Sequence, residues 1–198
     1  MRLTEYVHQQ LEALLHPGDT ALDATAGNGH DTLAMARRVG PEGGVVAIDQ
    51  QAEAIEATRQ RLVDNGCGDR CELITGDHTA QLAILAPRYA GRIRAITFNL
   101  GYLPGGDKTI TTSSSSTLTA LDAAAQLLAQ DGCLFITAYR GHPGGMDEAA
   151  AVADWMHRQA STGWSVERID AEGIPPEKLP PVLWTARKAE AGKRMPIA

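Results

Sequence analysis

The chain has 198 residues, 43% of them hydrophobic and 21% charged, with a formal net charge of −6. That length suffices for one α/β domain with a full core, and no apolar run approaches the roughly 18 residues of a membrane span. An acidic balance argues against non-specific coating of nucleic acid, which rests on many phosphate contacts, but leaves room for a local grip on a few phosphates.

The opening Met1-Arg-Leu-Thr-Glu-Tyr lacks the apolar centre of a secretory signal, which predicts a cytoplasmic protein. Cys67, Cys71 and Cys133 are an odd count. The C-x3-C pair has no second Cys or His pair nearby, so free thiols are expected and no metal.

Taken in chain order, Leu3, Tyr6, Val7, Leu11, Leu14 and Leu15 recur at helical spacing and predict a helix over 3–15, stopped by His16-Pro17-Gly18-Asp19. Ala21 to Ala24 is a short strand carrying Asp23, broken by Gly27-Asn28-Gly29 and followed by an amphipathic helix, Asp31 to Val39. Val45 to Ile48 is a second strand ending in Asp49, and Gln51 to Asp64 a helix stopped by Asn65-Gly66. Cys71 to Thr75 is a third strand, leading to Gly76-Asp77-His78. Gln81 to Tyr89 reads as a short helix broken at Pro87. Arg94 to Phe98 is a fourth strand, which runs into a glycine-rich loop, Asn99 to Lys108. The serine run Ser113 to Ser116 continues as a capped helix through Leu118, Leu121, Ala125 and Leu128. Gly132 to Tyr139 is a fifth strand, followed by the loop Arg140 to Gly145 and a helix from Met146 to Ser161. Trp164 to Ile169 and Val182 to Ala186 are two last strands joined by a proline-rich loop.

This alternation predicts an α/β fold: a doubly wound, mostly parallel, seven-stranded Rossmann-like sheet with an antiparallel hairpin at one edge, in one domain over 1–198. In such sheets the ligand lies at the carboxyl ends of the strands. Asp23, Gly27, Asp49, Asp77, Asn99 and His142 all fall at or just beyond such ends.

Strand, glycine turn and helix at 20–39 form the arrangement in which backbone N–H groups and a helix N-terminus face a polar ligand. Gly27 and Gly29 permit positive φ and close approach, and Asp49 stands where an acid holds the two hydroxyls of a ribose. Thr32 occupies the place of the third glycine of the dinucleotide fingerprint, and Asp23 sits badly beside a pyrophosphate. A nucleoside with a ribose, a cationic amino-acid tail and no phosphate suits both facts, and S-adenosylmethionine is such a ligand.

Asn99-Leu-Gly-Tyr102 is the second stretch with chemistry. Methyl transfer is an in-line displacement, so the nucleophile must be held near attack distance, roughly 3–3.5 Å. An amine needs acceptors for its N–H groups, and the Asn99 side-chain oxygen and the Leu100 carbonyl can supply two. Tyr102 can stack on a flat base. Asp107 and Lys108 share a loop able to close over substrate. In Arg140-Gly-His-Pro-Gly-Gly, the guanidinium suits a phosphate and the His142 imidazole suits proton acceptance near neutral pH. His30 and His78 also lie near the crevice, where ordinary structural roles are expected.

D-A-T-A-G-N-G-H-D-T at 23–32, F-N-L-G-Y-L-P-G-G-D-K at 98–108 and G-H-P-G-G at 141–145 resemble the YtqB/MnmM-type methyltransferases. These are class I S-adenosylmethionine-dependent enzymes, also described as rRNA methylases, and the resemblance spans nearly the whole chain. It implies methylation of the aminomethyl nitrogen of 5-aminomethyl-(2-thio)uridine at the tRNA wobble position, with S-adenosylhomocysteine as product. The implied partner is the tRNA anticodon stem-loop, with no membrane; a homodimer stays open. By position, Asp23, Thr25, Gly27, Asn28, Gly29, Asp49, Gln50, Asp77, His78 and Asn99 would hold the cofactor. Asn99, Tyr102, Asp107 and His142 would be catalytic, and Tyr102, Gly105, Lys108, Arg140 and His142 would meet the nucleotide. The alternatives are a methyltransferase for rRNA or a small amine, an NAD-dependent oxidoreductase, and a non-catalytic RNA-binding module.

Overall fold

A computed structural model describes residues 2–101, 114–171, 173, 175 and 178–188. Fourteen elements appear among them in the order α1 (Leu3–Leu14), β1 (Thr20–Asp23), α2 (His30–Val39), β2 (Gly44–Asp49), α3 (Ala52–Asp64), a short 3-10 turn (Gly68–Arg70), β3 (Cys71–Thr75), α4 (His78–Tyr89), β4 (Ile93–Leu100), α5 (Ser114–Leu127), β5 (Leu128–Ala138), α6 (Gly145–Ser161), β6 (Ser165–Asp170) and β7 (Val182–Arg187). No helix among the described residues is long and apolar enough to cross a membrane.

The seven strands form one sheet in the order β3-β2-β1-β4-β5-β7-β6. Strands β3 to β5 along that order pair in parallel, while β7 runs antiparallel to both β5 and β6. The expected doubly wound sheet with its antiparallel edge pair is therefore observed.

Successive strand residues point to opposite faces, and here both faces are covered. Leu22, Val46, Ile96, Phe98 and Ile136 pack with Leu82, Leu85, Leu121, Val152 and Trp155 of α4, α5 and α6. Their strand neighbours Ala21, Val45, Ala95 and Phe135 pack on the other face with Val7, Leu11, Met35, Val39 and Leu62 of α1, α2 and α3. Trp155, fully buried, also satisfies its indole by donating to Asp122 Oδ1 at 2.7 Å.

β1 lies between β2 and β4, so the crossovers diverge on either side of it. That switch point opens a crevice beyond the carboxyl ends of β1 and β4.

Several boundaries differ from expectation. α4 starts at His78, because the Asp77 side chain accepts from Ala80 N–H at 3.1 Å and caps it. It also runs through Pro87 to Tyr89. Proline there removes only the bond to the carbonyl of exposed Ala83, while Leu82, Leu85 and Tyr89 hold the helix to the core. β4 continues through Asn99 and Leu100, which pair with Thr137 and Ala138 of β5, so Asn99 stands on a strand end and not on a loop. β5 starts directly after α5, at Leu128, with a register shift opposite Ile93 to Ala95.

Candidate active site

The turn after β1 carries Gly27 at φ 54° and Gly29 at φ 75°, and Gly29 caps α2. Both are left-handed conformations that favour glycine. α3 braces this turn from behind: Thr58 Oγ1 donates to the Gly27 carbonyl at 3.1 Å, and Arg61 Nε to the Asn28 carbonyl at 2.6 Å. A Cβ on Gly29 would stand 2.9 Å from Thr58 Cα.

Asp23 lies beneath the turn and is fully buried. Its carboxylate accepts from Thr32 Oγ1 at 2.7 Å, Thr97 Oγ1 at 3.1 Å and Thr25 N–H at 3.3 Å. Burial, followed by the charge of Asp31, pushes its pKa up to about 7. Thr32, standing where dinucleotide folds carry a glycine, has a reason here: its hydroxyl holds Asp23.

Asp49, Gln50, Asp77 and His78 gather at the ends of β2 and β3. Asp49 Oδ2 accepts from Gly27 N–H at 2.9 Å and Oδ1 from Gln51 N–H at 3.0 Å. Each oxygen keeps lone-pair capacity for a ribose hydroxyl. Gly76 N–H binds the Asp49 carbonyl at 2.8 Å and Gln50 Nε2 reaches Asp77 Oδ2 at 3.5 Å, joining the two strand ends. His78 is buried edge-on to Phe98, with ring centroids 5.9 Å apart, and desolvation lowers its pKa.

On the other side of the turn lies a cavity of about 420 Å³. Of the expected site residues, Thr25, Gly27, Asn28, Asn99, Arg140 and His142 line it. Asn99 is pinned by its backbone N–H to Thr25 Oγ1 at 2.7 Å, and its Nδ2 donates to Asp31 Oδ2 at 2.8 Å. The Leu100 carbonyl, expected to accept from a substrate amine, instead accepts from Tyr139 N–H at 3.0 Å and extends the β4–β5 ladder. Arg140 Nε donates to the Pro180 carbonyl at 2.7 Å. His142 Nδ1 lies 3.0 Å from the Pro143 carbonyl, which only accepts, so Nδ1 carries the proton of the neutral ring. A Cβ on Gly145 would stand 2.8 Å from His142 Nε2, so only glycine there lets the ring seat against the backbone. Tyr102, Gly105, Asp107 and Lys108 lie outside the described residues.

Thr4, Asp31, Tyr139 and Leu179 also line the cavity and carried no expectation from sequence. Tyr139 is 42% exposed at the mouth, with its Cβ packed against Gly101. Burial, then Asp31, raises its pKa. His8 stands behind Asp31, its Nε2 2.7 Å from Asp31 Oδ1. Cys71 and Cys133 are pushed up to about 12 by burial, and no cluster of metal ligands occurs among the described residues.

The donor set suits an adenosyl sulfonium. The Asp49 and Asp77 carboxylates at the ends of β2 and β3 could take hydroxyl groups, and the glycine turn above the buried Asp23 could take a cationic group. Fold and site together define a class I S-adenosylmethionine-dependent methyltransferase.

The family model described as Putative rRNA methylase matches residues 45–186. The chain belongs to that rRNA methylase family. It is 42% identical over 159 residues to a chloroplastic tRNA (mnm(5)s(2)U34)-methyltransferase of Arabidopsis thaliana, covering 76% of this chain and 57% of that relative's length. An rRNA-methylase structure from Clostridium thermocellum superposes with TM-score 0.86 at 32% identity, covering 95% of this chain and 98% of the other. A methyltransferase from Streptococcus mutans in complex with SAH superposes with TM-score 0.81 at 29% identity, over 95% and 98% of the two chains.

Proposed function

We propose that this protein transfers a methyl group from S-adenosylmethionine to the aminomethyl nitrogen of 5-aminomethyl-(2-thio)uridine at the tRNA wobble position, within a single domain. The observation that carries the reading is the Asn99 carboxamide, set on a strand end in the cavity wall beside the glycine turn. The name of the 42% identical plant relative supports the same acceptor.

The cofactor supplies an electrophilic methyl on a sulfonium. Asp49 and Asp77 hold the adenosine half, and the turn from Thr25 to Gly29, with Asp23 beneath it, receives the amino-acid half. An alkyl ammonium resembles lysine, with a reference pKa of about 10.4, so it must lose a proton before it attacks. A half-buried cavity favours the neutral amine by desolvation. Asn99 accepts an amine N–H and leaves the lone pair aimed at the methyl. Asp107 takes the proton, or His142 does so once its ring turns the buried Nε2 toward the amine.

Tyr139, at the cavity mouth, offers a face on which a wobble base splayed from the anticodon loop can stack. Arg140 and Lys108 meet flanking phosphates. One loop nucleotide read this way needs only a small footprint, which suits a chain of net charge −6.

The test is purified protein with S-adenosylmethionine and tRNA bearing the aminomethyl base, read by nucleoside mass spectrometry, with rRNA in a parallel arm. The methylaminomethyl nucleoside should form in the tRNA, and Asn99→Ala should lower the rate by on the order of a hundredfold. Methylation of rRNA alone would overturn the choice of acceptor.

A further inference from the structure

Asp31 is 9% exposed in the first turn of α2, and its carboxylate lies in the cavity wall. It meets two N–H groups from distant parts of the chain: Asn99 Nδ2 of β4 at 2.8 Å on Oδ2, and His8 Nε2 of α1 at 2.7 Å on Oδ1. A carboxylate has no proton to give, so both partners must turn an N–H toward it. For His8 this puts the proton on Nε2. For Asn99 it decides which end of the amide is which.

The consequence is a polarity. With Nδ2 on Asp31 and the backbone N–H on Thr25 Oγ1, the Asn99 Oδ1 is the end left over, and no described residue donates to it. An amide turned the other way would point an N–H at an acceptor nitrogen. It would then bond the lone pair that has to attack.

We propose that Asp31, steadied by His8, is a positioning residue that fixes the Asn99 carboxamide with its oxygen toward the acceptor, so that the site selects a nitrogen presenting N–H donors. This rests on the amine-methylation reading above. Asp31 acts through Asn99 and forms no bond with the reacting atoms.

Two measurements test it. The first is a double-mutant cycle in single-turnover methylation of tRNA bearing the aminomethyl base, at saturating cofactor. Asp31→Ala should slow the reaction by between about tenfold and about a hundredfold, with cofactor affinity within about twofold of wild type by calorimetry. Asp31→Ala combined with Asn99→Ala should be no slower than Asn99→Ala alone, because the effect has nothing left to act through. Asp31→Asn keeps an oxygen that can accept from Nδ2, so it should recover most of the rate, and it serves if the alanine variant does not fold. Losses that multiply in the double variant, or a wild-type rate in Asp31→Ala, would overturn the proposal.

The second measurement needs no acceptor. The Asn99 side-chain NH2 resonances, assigned by their disappearance in Asn99→Ala, should be protected from hydrogen exchange in the wild type. They should exchange at least about tenfold faster in Asp31→Ala, as expected for a lost hydrogen bond. Protection unchanged by Asp31→Ala overturns the positioning role whatever the activity. Protection lost as expected, in a protein that methylates no tRNA, would instead reject the amine reading and leave the Asp31–Asn99 geometry standing.

Discussion

Replacing Gly29 with Ala tests the turn directly. The residue has φ 75°, which costs an L side chain about 1–2 kcal/mol. Its new Cβ would also stand 2.9 Å from Thr58 Cα, 3.0 Å from Thr58 Oγ1 and 3.1 Å from Thr58 Cβ. Thr58 is fully buried and the nearest of these atoms is backbone, so α3 itself must shift, an overpacking cost of about 1–3 kcal/mol. Together these give a loss of about 2–5 kcal/mol, or a fall in Tm of about 4–20 °C for a chain of this size. The shift would also disturb the Thr58 bond to the Gly27 carbonyl and so weaken cofactor binding. Gly18→Ala is the control: its φ is 92° but nothing lies within 4 Å of the added Cβ. It should show the conformational cost alone. The assay is urea unfolding of both variants beside calorimetry with S-adenosylmethionine. If Gly29→Ala is no less stable than Gly18→Ala, the close packing of turn on α3 is wrong.

Asp49→Ala should weaken cofactor binding by about 1–3 kcal/mol through lost ribose contacts. It should also destabilise the fold, because two backbone N–H groups lose their acceptor; wild-type unfolding with weakened binding would deny the structural share. Asp23→Asn should change the pH dependence of stability. With its folded pKa raised to about 7 from 3.8, wild-type Asp23 keeps in the fold a proton that the unfolded chain releases, so its contribution declines as pH rises between those values and then levels off. Unfolding midpoints should move in favour of the asparagine variant across that window, and a difference flat with pH would show that the buried carboxyl does not titrate there. His142→Ala should lose less rate at about pH 9.5 than at about pH 6.5, because more of the amine is already neutral at the higher pH. A defect constant over that range in single-turnover assays would exclude proton acceptance by His142.

The sheet was legible because both faces of its central strands are covered, which leaves near-continuous apolar runs such as Val45 to Ile48 between glycine turns. Boundaries failed where tertiary contacts outweighed a local signal. Pro87 marks a helix end only if nothing else holds the last turn, and buried Tyr89 holds it. Asn99 reads as loop because Gly101 and Gly105 follow it, yet pairing with Thr137 carries the strand two residues further. The difference bears on chemistry, since a strand end holds a side chain more rigidly than a loop does.

The residues that meet at the candidate site were legible where they follow a local pattern and hidden where their meeting depends on which helix packs against which. The glycines, Asp49 and Asn99 stand beside turns and strand ends, so the sheet topology alone brings them together. Asp31 has no such mark. An acid in the first turn of a helix is accounted for by the helix dipole, and nothing in the string suggests more. His8 sits beside the apolar stripe of Leu3, Val7, Leu11 and Leu14, where it reads as the edge of a buried face. What joins the two is the packing of α1 on α2, set by Val7, Leu11, Met35 and Val39, none of which bears on chemistry. α1 is thus a wall of the cavity as well as a cover for the sheet: Thr4 lines the cavity and His8 meets the carboxylate that accepts from Asn99 Nδ2. A helix recognisable in the sequence only by its apolar spacing therefore stands, through Asp31, one contact away from Asn99 in the cavity wall.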